Sequence, residues 1–282
     1  MNTTPSLAAR FARNTVVIRS EEPLGEAQMR LAAPSIFAPG KHESRSERYT
    51  YVPTIDVLRG LRAEGFEPFM VAQSQSRVPG KSAYTKHMIR MRHGGQVTTR
   101  SEANEIILIN SHDGASSYQM LAGVFRFVCC NGLVCGTVSN DIRLPHKGKI
   151  QDDVIEGAFR VLDDFEAIDA STEAMKAQGL DAGEEYAFAT AALALRYGGS
   201  EEQPSAPVTA GQLVEARRSE DRGSSLWATF QRVQENVICG GQPGRSAQGR
   251  RLQTRPVGSI DRGVSLNRAL WMLAEEMRKL KG

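Results

Sequence analysis

Apolar and polar positions change period along the chain, and each change marks an element. Residues 84–93 alternate. Tyr84, Lys86, Met88, Arg90 and Arg92 fall on one side; Thr85, His87, Ile89, Met91 and His93 fall on the other. A period of two predicts a strand, here with one cationic face. Residues 66–73 predict a strand before it. Residues 105–110 are apolar on both sides, the pattern of an inner strand. Further strands are predicted at 117–128 and 133–138. Asn131-Gly132 between them suits a hairpin turn, because both residues tolerate positive φ.

Helical spacing flanks this region. Pro53-Thr54 opens a helix with Thr54 as its cap, Ile55, Leu58 and Leu61 on one face, and Gly65 as its stop. Past residue 150 the 3.6-residue period dominates: Val154, Ala158, Val161, Phe165 and Ile168 form one stripe. Residues 184–197 predict another helix. Leu226, Phe230, Val233 and Val237 mark a third, and Leu266, Leu270, Leu273, Met277 and Leu280 a last. Thr209 and Gln212 have the spacing of a capping box for a short helix. Residues 1–48 read as tail and loops, with one short strand at 15–19. Residues 198–207 read as a loop and 236–260 as a mobile, Gly-rich basic loop. No internal repeat is apparent. The order predicts an α+β fold: a curved antiparallel meander with helices on one face and a helical C-terminal part. One domain is expected over 49–282, with its sheet at about 66–138 and its helical part at about 150–282.

Composition narrows the class. The chain has 282 residues, 40% hydrophobic and 24% charged, which argues against global disorder. No apolar run approaches the roughly 18 residues of a membrane span, and no secretion signal is visible. The cysteines Cys129, Cys130, Cys135 and Cys239 form no CxxC pair, and no histidine has zinc-finger spacing. Buried, reduced thiols in a cytoplasmic protein are expected.

The net charge of +3 hides an uneven distribution. Residues 1–100 hold 15 Lys+Arg against 8 Asp+Glu, residues 101–200 hold 7 against 15, and residues 201–282 hold 13 against 9. Basic ends around an acidic middle suit a chain that grips a polyanion or pairs with copies of itself.

For enzymes, the sequence has no GxGxxG, Walker loop, HExxH or GxSxG. His112-Asp113 is its sole adjacent His–Asp pair, in a polar connection at 111–116. Asp113 before Gly114 suits a turn whose carboxylate accepts backbone N–H bonds. His112 then lines either the sheet or a site. The acids Asp152, Asp153, Glu156, Asp163 and Asp164 read as a solvated helix face or partner surface rather than a magnesium site. No metal or other cofactor is expected. The nucleic-acid reading rests on residues 77–100, which hold Arg77, Lys81, Lys86, Arg90, Arg92 and Arg100 and no acid. With Tyr84 on the same strand face, cations neutralise phosphates while the ring stacks on a base. Arg126 on a nearby strand and Arg245, Arg250 and Arg251 in the later basic loop extend the candidate groove.

Five blocks carry a family resemblance: YVPTIDVLRGLRAEGFEPF, YTKHMIRMRH, NEIILINSHDGASSYQMLAGVFRFVCCNGLVCG, SLWATFQRVQENVICGG and LNRALWMLAEEMRKL. In this order, from about residue 51 onward, they resemble a phage/plasmid-like family known as domain of unknown function 932. The resemblance implies a gene carried by phages, plasmids and integrated elements, and no assigned activity. The order helix, antiparallel meander, long helix is similar at fold level to the single-strand annealing recombinases. That likeness implies a cation-lined sheet and helix that hold single-stranded DNA in rings or filaments.

The expectation from sequence is therefore a cytoplasmic, self-associating protein of a mobile genetic element that binds single-stranded DNA, with annealing left open as an extension of that role. Two other classes remain open: an inhibitor of a host defence system acting by protein–protein contact, and a hydrolase or nuclease using His112 and Asp113.

Overall fold

In a computed structural model of the chain, the described residues are 15–47, 49–94, 102–127, 131–136, 141–144, 150–198 and 206–281. Arg10, Arg13, Arg100, Cys129 and Cys130 lie outside them, as do the ends of the predicted strands at 117–128 and 133–138 and much of the loop at 198–207. The described residues fall into two compact units, divided within one long helix near Phe165.

The first unit is an antiparallel meander. Its strands are β1 (Thr15–Arg19), β2 (Phe66–Ser74), β3 (His87–His93), β4 (Glu102–Asn110), β5 (Tyr118–Arg126) and β6 (Asn131–Gly132), paired in chain order, with β7 (Ile142–Leu144) also on β5. Helix α2 (Thr54–Ala63) buries Val57, Leu58 and Leu61 and ends before Gly65, whose φ of 87° needs glycine. The start of α3 (Ile150–Ala177) packs on the same sheet face: Phe159 meets Phe66 edge to face, and Gly157 lets the helix close on Met120 and Ile142. The expected α+β class with a helix-covered meander stands.

Several local expectations are corrected. Residues 15–37 belong to the fold rather than to a tail. They hold β1, helix α1 (Glu26–Ala32) and a 3-10 turn (Pro34–Phe37). Backbone bonds from Ser20 to Phe69 O and from Leu24 to Pro68 O tie them to β2. A seven-residue helix between prolines is too short to show a period. Asn131 and Gly132 are not a turn. They pair with Arg126 and Phe125, and Leu133 and Cys135 continue that pairing through bonds to Val124 O and Ala122 O. Thr54 does not cap α2, because Pro53 holds that position and Thr54 is the first helical residue.

The second unit is helical: the end of α3, α4 (Ala182–Tyr197), α5 (Ala210–Val214), α6 (Leu226–Cys239) and α7 (Ile260–Lys281). The capping box at Thr209 and Gln212 is present, and Asp181 with Glu184 forms a second one on α4. Helix α6 is buried nearly all round. Some of its polar positions are paired in place: Arg232 pairs with Glu185, and Gln234 donates to Asn267, while the Gln231 amide is buried without a partner. The supposed loop at 236–260 is corrected too. It is the end of α6 followed by a two-stranded hairpin, β8 (Pro243–Arg245) and β9 (Arg251–Gln253). Arg245 N–H bonds to Pro207 O, and Gly244 packs against the same carbonyl. Among the described residues, no helix is long and apolar enough to cross a membrane.

Candidate nucleic-acid interface

The predicted cationic strand face does not face solvent. Arg90 is 5% exposed and Arg92 2%. Across the ladder Arg90 sits opposite Ile107, so alternation puts Glu105 on the same face. Arg90 Nε lies 2.5 Å from Glu105 Oε2 and Arg92 Nε 2.9 Å from Oε1. Arg90 Nη2 also donates to Leu133 O at 2.7 Å. The Arg92 guanidinium lies over the rings of Phe69, Phe125 and Phe127, 4.2–4.9 Å from their centroids. Residues 132–135 cover this face and are themselves buried. Arg90 and Arg92 are thus corrected from phosphate contacts to a buried charge cluster. Period two reads the face correctly, but it cannot tell a solvated cationic row from one neutralised inside.

Other predicted residues gather at one end of the sheet. Arg77 is exposed in the loop after β2, and Lys81, Tyr84 and Lys86 are half-buried. Lys81 and Tyr84 lie on a 3-10 turn (Lys81–Tyr84). Lys81 Nζ reaches Asp113 Oδ2 at 3.2 Å. Tyr84 O accepts from His112 N–H at 2.9 Å, and His42 N–H bonds to His112 O at 3.0 Å. The Tyr84 ring stands edge-on to the His42 ring, centroids 5.3 Å apart. Arg45 lies flat over Gly114, whose φ of 78° and missing Cβ both permit it. The backbone of His112 therefore joins three segments of a cationic rim: 42–45, 81–84 and 111–114. Sequence reasoning missed His42 and Arg45, since long-range backbone pairing leaves no mark in a local pattern. Glu43 and Glu47 also lie in that stretch and are exposed. Arg126 is half-buried at the far end of β5, opposite Glu102.

Beneath the rim, His112 is fully buried, and so is His87. Thr54 Oγ1 is the node between them. His87 Nε2 lies 3.0 Å away, Asn110 Nδ2 3.0 Å, His112 Nε2 3.1 Å and Tyr118 Oη 3.2 Å. Ser35 N–H and Oγ–H both donate to Gln73 Oε1, at 2.9 and 2.7 Å. Ser35 Oγ is thus left to accept from His87 Nδ1, 2.9 Å away. His87 is the Nδ1–H tautomer, and Thr54 donates to its Nε2. Burial, then the neighbouring His112, hold His87 well below the ordinary histidine range. Burial likewise pushes the Tyr51 hydroxyl, whose ring packs on His112, up to about 12.

His112 and Asp113 do not form a dyad. Asp113 Oδ1 accepts from Ala115 N–H at 3.0 Å, and its carboxylate otherwise meets Lys81 and Ser111. That is the backbone-capping turn the sequence suggests. On α3, Asp152, Asp153, Glu156 and Asp163 are exposed.

The hairpin of the second unit carries a cluster of exposed cations. Arg245, Arg250 and Arg251 are exposed, as is Arg255 just beyond them. Arg245 stands directly opposite Arg251 in the β8–β9 ladder. No Asp or Glu occurs from residue 236 to 260.

The family model described as a domain of unknown function (DUF932) matches residues 41–271. The chain is 48% identical over 271 residues to the UPF0380 proteins YafZ and YfjQ of Escherichia coli (strain K12), covering 96% of this chain and 97% of each relative. No solved structure matches it. With four of the five blocks inside the matched span and the fifth beginning in it, the chain belongs to the DUF932 family.

Proposed function

We propose that the protein binds single-stranded nucleic acid through two cationic surfaces, the arginine hairpin and the rim around Tyr84. The observation that carries this reading is the Arg245–Arg251 pair. Like charges directly opposite each other in a ladder are destabilising. Four exposed arginines with no carboxylate in the segment cost the folded chain something and call for an anionic partner. On the rim, Arg77, Lys81 and Lys86 lie within a few residues of the half-buried Tyr84 in the chain, a pairing of cations and an aromatic ring that suits phosphate neutralisation and base stacking on single strands. Binding of this kind needs no cofactor. The exposed acids of α3 offer counter-charge for a second copy, so coating and annealing of strands by an assembly follow naturally. The resemblance to phage- and plasmid-borne proteins suits a cytoplasmic role in handling mobile DNA.

Anisotropy of a labelled oligonucleotide, in magnesium-free buffer, tests the reading. Single strands should bind more tightly than duplex of the same sequence. Log affinity should fall against log salt by about 0.7 for each phosphate contacted, a slope near −3 if four arginines engage. A flat salt response, or equal affinity for both forms, would overturn it.

A further inference from the structure

The buried network around Thr54 has an asymmetry that nucleic-acid binding does not use. Its central hydroxyl is saturated: Thr54 donates to His87 Nε2, and its two lone pairs accept from Asn110 Nδ2 and His112 Nε2. His87 Nδ1 already donates to Ser35 Oγ. A proton added at His87 Nε2 therefore points at an oxygen whose lone pairs are taken, and the proton of Thr54 is left with the longer contact to Tyr118 Oη, 3.2 Å away, which itself donates to Val52 O.

The groups facing His87 cannot neutralise that charge. From β2 comes Gln73, from β4 Asn110, from the Pro34–Phe37 turn Ser35, and from α2 Thr54. The 111–116 turn presents the His112 ring, centroid 5.4 Å away, and β5 presents the Tyr118 hydroxyl. The nearest charged groups by chain position are Lys86, Lys81, Asp113 and Asp56. Asp113 is held by Lys81, and Asp56 is exposed and near Arg59.

The surroundings also decide where relief comes from. His87, Gln73 and Asn110 are fixed in strand ladders. His112 is not. Its backbone is bonded to Tyr84 O and His42 N–H, in segments without strand or α-helix, and the neighbouring Gly114 and Ala115 are exposed. We propose that His87 is an acid-triggered latch: its protonation releases segments 42–45, 81–84 and 111–116, while the helical unit stays folded. This goes beyond the nucleic-acid reading and does not depend on it.

The sign is fixed by the neutral buried ring. A histidine held below its unfolded value of about 6.5 stabilises the closed form fully above that pH. Below it, the opening equilibrium rises about tenfold per pH unit until the folded-state value is reached. Hydrogen exchange of the intact chain, corrected for intrinsic rates, reads this directly. Opening at 42–45, 81–84 and 111–116 should rise by up to roughly fifteenfold between about pH 6.5 and pH 5, with α6 amides unchanged. His42→Asn, on the half-buried rim histidine, should keep the response. His87→Gln should abolish it. Because that variant risks misfolding, the His87 imidazole is also followed by NMR in the unaltered protein. Its titration near the ordinary value with the three segments still protected, or a flat exchange profile, would overturn the proposal.

Discussion

Arg90 Nε lies 2.5 Å from Glu105 Oε2 inside the sheet unit, and the same carboxylate binds Arg92 through its other oxygen. One acid serves two guanidiniums. Gly123 and Gly132 make the room: a Cβ on either would collide with the Arg90 guanidinium. The excess positive charge is met by the faces of Phe69, Phe125 and Phe127 around Arg92. What alternates along β3 is therefore a second, charged core layer on the side of the sheet away from α2.

Removing the shared carboxylate should be severe. Breaking a buried pair by deleting one partner costs about 3–5 kcal/mol, and Glu105→Ala strands two guanidiniums at once. The double variant Arg90→Ala with Arg92→Ala should also lose several kcal/mol, against the under ~1 kcal/mol expected of exposed charges. Urea unfolding at neutral pH checks both. A loss below about 1 kcal/mol in either would return these arginines to the surface.

The gain and the limit of sequence reading are both visible here. Ile89, Met91 and the run at 106–109 are legible as core because burial on a sheet leaves a period. The helices from α3 onward are legible for the same reason, as is the box at Thr209 and Gln212. Arg90 and Arg92 share that period, but their neutralising partner arrives from another strand. The His42–His112 bond, the Thr54 node and the packing of Arg45 on Gly114 join residues far apart in the chain. The hairpin at Arg245–Arg251 escapes notice because three-residue strands are too short to alternate visibly.

Asp113 should behave as a turn residue with a pH signature. Burial pushes its carboxyl up, but the Ala115 N–H, Lys81 and Ser111 outweigh that and hold it below the ordinary range. A carboxylate lowered in the folded state contributes stability that is full above its unfolded value of about 3.9 and is lost as pH falls through the folded value. Asp113→Ala should cost about 0.5–2 kcal/mol at neutral pH, as loss of a cap does. Asp113→Asn keeps the acceptor and should cost less. The margin between the unaltered protein and Asp113→Asn should shrink in acid, measured by denaturation at several pH values.

Tyr84 separates single-strand binding from simple charge attraction. Its ring is half-buried against His42. Tyr84→Ala should weaken single-strand affinity by about 1–3 kcal/mol, the range for losing one stacked base. Duplex affinity should barely change, and Tyr84→Phe should keep most of the binding. Equal losses for both nucleic acid forms in a titration would show that the ring does not stack.

The hairpin prediction concerns salt as much as affinity. Arg245→Ala with Arg251→Ala removes two exposed cations that oppose each other. The magnitude of the single-strand salt slope should fall by about 1.4 if each contacts a phosphate. Folding stability should hold or rise slightly, because a like-charge pair worth a few tenths of a kcal/mol of repulsion is gone. Binding measured across a salt series, alongside thermal unfolding, decides it. An unchanged slope would remove the hairpin from the interface.

Thr54 gives the sharpest test of the buried network, because valine matches its shape and lacks only the hydroxyl. Thr54→Val leaves His87 Nε2, His112 Nε2 and Asn110 Nδ2 without their shared partner, in a region closed to water. Each buried polar group left unmade costs roughly 1–3 kcal/mol. The variant should therefore lose about 3 kcal/mol or more while gaining slightly in apolar surface. Thr54→Ser keeps the hydroxyl and removes one methyl, so about 1 kcal/mol is expected from lost burial. The order serine above valine reverses what hydrophobic burial alone dictates. Urea midpoints with equal slopes for the three proteins would establish that order. Valine equal to threonine would mean the four contacts on this oxygen contribute nothing net.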